Sequence, residues 1–238
     1  DDDANTEKHL VLVGGGHAHA QVIKALNWAS RPNHIKVTLI DKQAAASYSG
    51  MVPGCISKLY KPEDTLLQLR PLAEWADIDF VHDRVVDIDL EQKTIQLESP
   101  QAPKIPFDCI SIDIGSTSRG LDDVPGAREY TIPTRPIFKL VDRIEASEQQ
   151  DMTRNSSEDN NNDNNVNDNN NGPNVVCIGG GAASVELALS LNGRWKEQFP
   201  NTQVTVLNSG KELLSGESEN GREALNQVLN QQGIQVKH

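Results

Sequence analysis

A glycine-rich turn that follows an apolar run occurs twice in the sequence, and this repeat constrains the fold more than any other feature. The first turn, Val13–His19, follows the apolar run Lys8–Val13. The second turn, Gly179–Gly181, follows the run Asn174–Ile178. Apolar residues at helical spacing and a further apolar run come after each turn. The order strand, glycine turn, helix, strand predicts two βαβ units and therefore parallel sheets.

The remaining apolar runs complete an α/β pattern. Around the first turn we predict helices at Ala18–Trp28 and Leu66–Trp75, strands at Ile35–Asp41 and Ile105–Ile114, and an antiparallel meander of short strands at Ile78–Val81, Arg84–Asp89 and Lys93–Leu97. Around the second turn we predict helices at Ala182–Leu191 and Glu219–Gln232, a strand at Gln203–Leu207 and the start of another at Gly233–Val236. The fold class is therefore α/β, with two Rossmann-like units of three-layer ββα architecture, the second of them truncated.

An Asn- and Asp-rich tract separates the two units. Its composition does not bury enough apolar surface to offset the entropy of ordering. A prion-like interaction tract is the alternative, but the tract lacks aromatic residues. We therefore predict a disordered tail at 1–8, a first domain at 9–150, a disordered insertion at 151–173 and an incomplete second domain at 174–238.

The charge balance restricts the class of partner. The net charge is −12 and the isoelectric point is near 4.9, so a nucleic acid is not an expected ligand. No run approaches the roughly 18 apolar residues that a membrane-spanning helix needs. We expect this part of the protein to be soluble, and the sequence leaves a cytoplasmic or organellar location open.

The residues of the first turn fit a dinucleotide site. In such a turn the first glycine permits a tight bend, the second lets the backbone approach a pyrophosphate, and a small third residue lets the helix pack closely. Gly14 and Gly16 fill the first two positions, but His19 fills the third. We therefore expect either a more distant helix or a His19 side chain that turns outward. Asp41, about 25 residues after Gly16, is placed to bind an adenosine ribose. An ordinary α/β turn without a ligand is the alternative.

The second turn has the same glycines but a different strand end. Gly179 and Gly181 are followed by the small Ser184 in the third position. The next strand ends at Asn208, with Lys211 three residues later. A carboxylate at that strand end would favour NAD, whereas a neutral residue near a cation permits NADP, so the choice between NADH and NADPH stays open.

Three local strings resemble one family. They are Gly14–His19, Tyr48–Gly54 and Ser111–Ser116. Together with the order of the two turns, they resemble the pyridine nucleotide-disulfide oxidoreductase superfamily across residues 8–238. They are most similar to its type II NADH dehydrogenase-like branch, and in particular to the flavoprotein domain that some organisms fuse ahead of selenide, water dikinase.

The resemblance implies that the first domain binds FAD and that the second binds NADH or NADPH. It implies FAD contacts at Gly14, Gly16, Ala18, Asp41, Val85 and Gly115, with the Val85 backbone near adenine. It implies nicotinamide-cofactor contacts at Gly179, Gly181 and Glu186, although Glu186 is equally interpreted as a solvated helix carboxylate. For His17 we expect either a hydrogen bond to the flavin phosphate or ribose, or structural packing. A metal site at His17 and His19 is not expected, because no other His or Cys residues cluster nearby in sequence.

The cysteines restrict the chemistry further. The chain lacks the paired redox cysteines of the disulfide reductases, so thiol–disulfide exchange is not expected. Cys109 and Cys177 lie in apolar runs and are interpreted as small buried residues. Cys55 is interpreted as a plain loop thiol, with a catalytic role as the alternative.

Two functions of different class follow. The first is an FAD-dependent oxidoreductase that passes hydride from NAD(P)H to flavin and on to a quinone or another small acceptor. In that case peripheral membrane contact is possible through a region not in this chain, no catalytic side chain is assigned, and residues 1–238 alone are expected to be weakly active or inactive. The alternative is a non-catalytic nucleotide-binding or redox-sensing module that supports a fused partner such as selenide, water dikinase.

Overall fold

The computed structural model describes the backbone of residues 6–158 and 172–238, and the side chains of these residues apart from 151–158. The chain divides into two compact units. The first contains Asp1–Ser49 and Leu66–Leu140, and the second contains Gly50–Thr65 and Val141–His238. The segment 50–65 and residues from 141 onward thus belong to the same compact unit as the second glycine turn, whereas the predicted first domain ran from 9 to 150.

The helices and strands follow in chain order. The strands are β1 (Lys8–Val13), β2 (Ile35–Asp41), β3 (Ala45–Ser47), β4 (Leu66–Gln68), β5 (Asp79–His82), β6 (Val85–Asp89), β7 (Thr94–Leu97), β8 (Ile105–Pro106), β9 (Cys109–Ile112), β10 (Asn174–Ile178), β11 (Gln203–Leu207) and β12 (Gln235–Lys237). The helices are α1 (His17–Ala25), α2 (Val52–Ile56), α3 (Leu69–Ala76), α4 (Ala127–Tyr130), α5 (Leu140–Glu158), α6 (Ala182–Trp195) and α7 (Glu219–Gln231).

A four-stranded parallel sheet forms the centre of the first unit. Its strand order is β5-β2-β1-β9, so β1 has β2 on one side and β9 on the other. Val13, the last residue of β1, pairs with Ile40 in β2 and with Ile112 in β9. The carboxyl ends of these three strands therefore meet at one edge of the sheet, directly before the first glycine turn.

Apolar side chains cover both faces of this sheet. On one face, Leu12 and Leu39 cluster with Ile23 of α1 and Leu69 of α3. On the other face, Val11, Val13 and Ile40 cluster with Ile95 and Leu97 of β7 and with Phe107, beside the antiparallel meander β6-β7-β8. The alternation of β1 residues between the two clusters produces the predicted three-layer ββα architecture.

Three predicted elements of this unit were wrong in detail. The run at 78–81 is not part of the meander, because β5 pairs in parallel with β2. The run Ile105–Ile114 is divided into β8, which pairs with the meander, and β9, which pairs with β1. The predicted helix at Leu66–Trp75 begins only at Leu69, since Leu66–Gln68 pairs with β3. In each case pairing with a distant strand decides the outcome.

The second unit contains a parallel sheet of order β10-β11-β12. Val204 and Val206 of β11 and Val185, Ala188 and Leu191 of α6 are buried. Of the predicted disordered insertion at 151–173, residues up to Glu158 continue α5, whereas 159–171 lie outside the described residues. Residues 1–5 of the predicted tail also lie outside them, and Lys8 belongs to β1.

A buried ion pair joins three segments of the second unit. Arg194 of α6, whose side chain is 1% exposed, donates to both carboxylate oxygens of Glu148 on α5 at 2.8 and 2.6 Å. Arg194 also donates to the carbonyl oxygen of Ile56 at 3.0 Å, and Trp195 Nε1 donates to Glu148. These contacts fix α2 against α5 and α6. No helix in the part of the chain described here is long and apolar enough to cross a membrane.

Candidate functional site

Gly14 forms the bend that ends β1. Its N–H donates to the carbonyl oxygen of Ile40 at 2.8 Å, and its φ is +95°, in the region that favours glycine. A Cβ atom at this position would lie 2.2 Å from the carbonyl oxygen of Asp113. The position therefore disfavours a side chain for two independent reasons, the positive φ and the close approach of the backbone at Asp113, directly after β9.

Asp41, the predicted ribose ligand, lies beside the same turn. Its Oδ2 accepts a hydrogen bond from the N–H of Gly15 at 2.5 Å, and its Oδ1 accepts one from the N–H of Gln43 at 2.7 Å. The carboxylate thus links the end of β2 to the glycine turn. The structure brings Asp41 to the place that the spacing indicated, and contact with a ribose stays a prediction.

Gly16 precedes α1 and packs against a carboxylate. Its φ and ψ of −66° and 175° are open to any residue. A Cβ atom on Gly16 would, however, lie 2.4 Å from Oδ2 of Asp113. The same Oδ2 accepts a hydrogen bond from the N–H of His19 at 3.0 Å. A side chain at this position would therefore require the Asp113 carboxylate to move, although the backbone conformation itself accepts any residue.

His19 does not turn outward. The side chain is 2% exposed and lies between the glycine turn and β9. Nδ1 lies 2.6 Å from the carbonyl oxygen of Gly14, and Nε2 lies 2.9 Å from Oγ of Ser111. Because a carbonyl oxygen only accepts, Nδ1 carries a proton, and in the neutral ring Nε2 accepts from the Ser111 hydroxyl. The large third residue is accommodated because both of its nitrogen atoms have partners.

The other residues predicted for the first cofactor lie around this turn or away from it. His17, the first residue of α1, is exposed and stacks on Tyr48, with ring centroids 4.8 Å apart. Ala18 follows it and is exposed. Val85 opens β6 opposite Leu97, and packs partly buried against the meander core.

Gly115 follows β9 by three residues. A Cβ on Gly115 would meet no heavy atom within 4 Å. The surroundings therefore place no steric requirement on a glycine at this position. Its predicted contact with the flavin side of the cofactor stays a prediction.

The second glycine turn repeats the first in its backbone. Gly179 N–H donates to the carbonyl oxygen of Leu207 at 2.8 Å, and its φ is +122°. Gly181 directly precedes α6, and the third residue, Ser184, is buried at the expected close approach of helix and strand. Glu186 lies exposed on the same helix. Gly181 has open space where a Cβ would be placed.

Asn208 at the end of the second unit's central strand uses its amide within its own loop. Nδ2 donates to the carbonyl oxygens of Gly210 and Glu212, both at 3.0 Å, and Oδ1 accepts from the N–H of Gly210 at 3.1 Å. The residue is buried, and a Cβ on Gly180 would lie 2.3 Å from its Oδ1. Lys211 in this loop is exposed. Asn208 therefore shapes the loop, and Lys211 is an accessible cation in it.

The cysteines divide by burial. Cys177 is buried as predicted, and burial raises its pKa to about 11. Cys55 is buried in α2, and burial likewise raises the pKa of its thiol. The prediction for Cys109 was wrong, because its side chain is exposed although its strand is apolar. No cysteine pair is bonded, since all three thiols are free.

Sequence reasoning missed the roles of Ser111 and Asp113. Both lie in the string Ser111–Ser116, and both are polar residues within an apolar strand run. That alternation was the available signal, because a polar side chain at the end of a buried strand needs a partner. Among the described residues, no group of three or more His, Cys, Asp and Glu side chains is placed to hold a metal ion.

Two parallel sheets, each with a glycine of positive φ before a helix, define a protein with two dinucleotide-binding units. The sequence model of the pyridine nucleotide-disulphide oxidoreductase family matches residues 8–238. The chain belongs to this family.

Individual proteins are similar to this chain in sequence or in fold. The chain is 25% identical over 257 aligned positions to a type II NADH:quinone oxidoreductase of Haemophilus influenzae, covering 97% of this chain and 57% of that protein. The structure is similar to NDH2 from Plasmodium falciparum in complex with NADH, with a TM-score of 0.75 at 14% identity over 97% of this chain and 48% of that one. It is also similar to the sulfide:quinone oxidoreductase from Aquifex aeolicus, with a TM-score of 0.70 at 20% identity over 96% and 50%. The chain spans about half the length of these proteins.

Proposed function

We propose that this chain is part of an FAD-dependent oxidoreductase that takes hydride from NADH or NADPH and delivers the electrons to a quinone or another small acceptor. The observation that carries the proposal is the repeated bend at Gly14 and Gly179. Each has positive φ, each donates to the adjacent parallel strand at 2.8 Å, and each leads into a helix. Family membership supports the same assignment.

The first unit has the features that FAD requires. The amino terminus of α1 lies at the edge of the sheet where the strand order reverses, the usual dinucleotide position. The first backbone N–H groups of a helix have no intrahelical acceptor and attract anions. We assign the diphosphate to the turn at Gly14, Gly16, His17 and Ala18, and the adenosine ribose to Asp41. Val85 and Gly115 complete the proposed contacts.

The second unit is assigned to the nicotinamide cofactor. Gly179 and Gly181 place the amino terminus of α6 beside the strand ends, with Glu186 on the same helix. The strand end carries the amide of Asn208 in place of a carboxylate, and exposed Lys211 is nearby in the loop. We infer that the unit accepts NADH and does not exclude NADPH, because the residue at that strand end is an amide and not a carboxylate.

The division of labour between protein and cofactors follows from this assignment. When bound, FAD supplies the capacity to accept hydride and release electrons to the acceptor. The protein supplies binding, orientation and electrostatics, so no acid–base triad is needed. A quinone-like acceptor is supported by the names of two relatives, which are quinone oxidoreductases. Contact with a membrane surface through polypeptide outside this chain is a prediction that follows from such an acceptor.

The test uses the purified full-length protein. After reconstitution with FAD, we expect the visible flavin absorbance to accompany the protein through gel filtration. Anaerobic addition of NADH or NADPH should bleach that absorbance, and a soluble quinone should restore it. Failure to retain flavin would contradict the proposal. Retained flavin that neither nucleotide bleaches would favour the non-catalytic, redox-sensing alternative.

A further inference from the structure

Asp113 lies where the strand order of the first unit reverses. It directly follows β9, and its N–H donates to the carbonyl oxygen of Val13 at 2.8 Å. In the sheet order β5-β2-β1-β9, the chain adds β2 on one side of β1 and later adds β9 on the other side. In open α/β sheets, ligands bind outside the carboxyl ends of the strands at this point.

The carboxylate of Asp113 lies beside the amino terminus of α1. Its Oδ2 accepts from the N–H of His19 at 3.0 Å and lies 2.4 Å from the place of a Cβ on Gly16. The helix has no acidic residue in its first turn and no side-chain cap from Gly16. A negative charge that stabilises the positive end of α1 is therefore supplied by Asp113, directly after β9 and 94 positions from His19.

The space beside Gly16 that the Asp113 carboxylate fills is also where a diphosphate is expected to bind. The second glycine of such a turn lacks a side chain so that a diphosphate can approach the backbone. On this chain that direction from Gly16 leads to the carboxylate of Asp113. Two anions then share one helix terminus, and like charges at such short range are unfavourable.

We propose that Asp113 is an internal anion that occupies the diphosphate position over Gly16 and lowers the affinity for FAD until its side chain moves aside. This inference rests on the proposed assignment of FAD to the first unit. The backbone of Asp113 can stay in place when its carboxylate moves, because the hydrogen bond from Asp113 N–H to the Val13 carbonyl oxygen does not involve the side chain.

The test compares Asp113→Asn with the unchanged full-length protein. The asparagine has the same shape, and its Oδ1 still accepts from His19, but the charge is absent. We expect the dissociation constant for FAD, measured by quenching of flavin fluorescence, to fall roughly fivefold at low ionic strength. The difference should shrink as salt is raised, because screening weakens the repulsion. Without cofactor, the thermal midpoint should fall by about a few degrees, since α1 loses its charged cap.

Asp108→Asn is the matched control. Asp108 also accepts from a backbone N–H in the first unit, that of His9 at 2.8 Å, but it precedes β9 and lies at the other end of the strand from Asp113. Its replacement should leave the affinity for FAD unchanged. Asp113→Ser provides a second variant without the charge, and should likewise bind FAD more tightly than the unchanged protein.

The outcomes separate this inference from the proposed function. Unchanged or weaker FAD binding by both Asp113 variants, with flavin retained by the unchanged protein, would overturn the inference and leave the assigned cofactor intact. A purely structural cap would give this result together with the lower thermal midpoint. Absence of FAD binding by every variant and by the unchanged protein would overturn the assignment of the cofactor itself, and with it this inference.

Discussion

The imidazole of His19 joins α1 to β9 through Ser111, with Nε2 of His19 2.9 Å from Oγ of Ser111. Its other nitrogen, Nδ1, lies 2.6 Å from the carbonyl oxygen of Gly14. A residue at the third position of the turn, where a small one was expected, thus connects the helix, the glycine bend and the neighbouring strand. The packing that glycine usually permits is replaced by a buried hydrogen-bonded ring.

Replacement of His19 by Ala should destabilise the first unit. The change leaves a cavity and deprives the Gly14 carbonyl and the Ser111 hydroxyl of their partner, so we expect the free energy of unfolding to fall by about 2 kcal/mol or more. Urea denaturation measures this. A double-mutant cycle with Ser111→Ala should give a coupling of roughly 0.5 kcal/mol or more. His17→Ala, on the exposed start of the same helix, should have a much smaller effect. Equal effects of the two histidine substitutions would contradict this account.

Gly14→Ala should be far more damaging than Gly115→Ala. The first change places a Cβ 2.2 Å from a backbone oxygen at a φ of +95°, whereas the second meets open space. We expect a loss of roughly 3 kcal/mol or more for Gly14→Ala, and a change within about 0.5 kcal/mol for Gly115→Ala. Thermal denaturation of the two variants side by side provides the comparison. A Gly14→Ala protein as stable as the unchanged one would contradict the steric and conformational need for glycine at this bend.

The ion pair of Arg194 and Glu148 should contribute more to the free energy of unfolding than an exposed ion pair of the same distance. Arg194→Ala removes the cation that pairs with the Glu148 carboxylate in a largely buried site and leaves it only the hydrogen bond from Trp195 Nε1, so we expect a loss of about 3 kcal/mol. Arg128→Ala breaks a pair of the same 2.6 Å distance, to Asp122, whose side chains are 67% and 78% exposed. That loss should lie within about 1 kcal/mol. Denaturant midpoints of the two variants measure the difference, and similar losses would contradict the role of burial.

Acid should weaken the same ion pair. Hydrogen bonds from Arg194 lower the pKa of Glu148 below its ordinary value of 4.5, against the opposing effect of burial. Because the folded-state pKa is lowered, the stabilising effect is complete above pH 4.5 and is lost as the pH falls through the lowered value. Stability measured from pH 7 to pH 3 should decline less for Glu148→Gln than for the unchanged protein. Parallel pH profiles would show that Glu148 does not contribute.

Lys211 should affect NADPH more than NADH. It is the exposed cation of the loop that Asn208 shapes, and a 2′-phosphate adds two negative charges to the ribose of the cofactor. In the full-length protein, Lys211→Ala should raise the dissociation constant for NADPH by roughly fivefold and leave that for NADH nearly unchanged. Titration calorimetry with both nucleotides tests this. Lys24→Ala, at the end of α1, is the control. A proportional weakening of both nucleotides by Lys211→Ala would assign Lys211 to general binding and not to selectivity.

Thiol labelling should distinguish Cys109 from the other cysteines. Cys109 is exposed, whereas Cys55 and Cys177 are buried and have raised pKa values. A thiol-specific reagent at neutral pH should therefore modify one group quickly and the other two slowly, because the thiolate is the reactive form. Cys109→Ser should remove the fast phase. Persistence of that phase in the variant would show that a buried thiol is accessible.

The sequence by itself determined the strands that carry the two turns. The predicted bounds Lys8–Val13, Ile35–Asp41, Asn174–Ile178 and Gln203–Leu207 are those of β1, β2, β10 and β11. These bounds could be predicted because each depends on neighbouring residues alone: an apolar run predicts the strand, and a glycine or an acidic residue beside it marks the end. The spacing also placed Asp41 beside the first turn, since the length of one helix and its connections sets that distance.

Only the tertiary structure decided what lies against the turns. His19 contacts Ser111 across 92 positions, and its N–H bonds to Asp113 across 94. Likewise, parallel pairing with β2 moved β5 out of the predicted meander, and pairing with β1 separated β9 from β8 within the predicted strand Ile105–Ile114. Local periodicity is the same for either outcome. Helix and strand periods record which face of an element is apolar, but not which distant element covers it. The roles of His19 and Asp113 therefore depend on the pairing of β9 with β1, which local sequence does not specify.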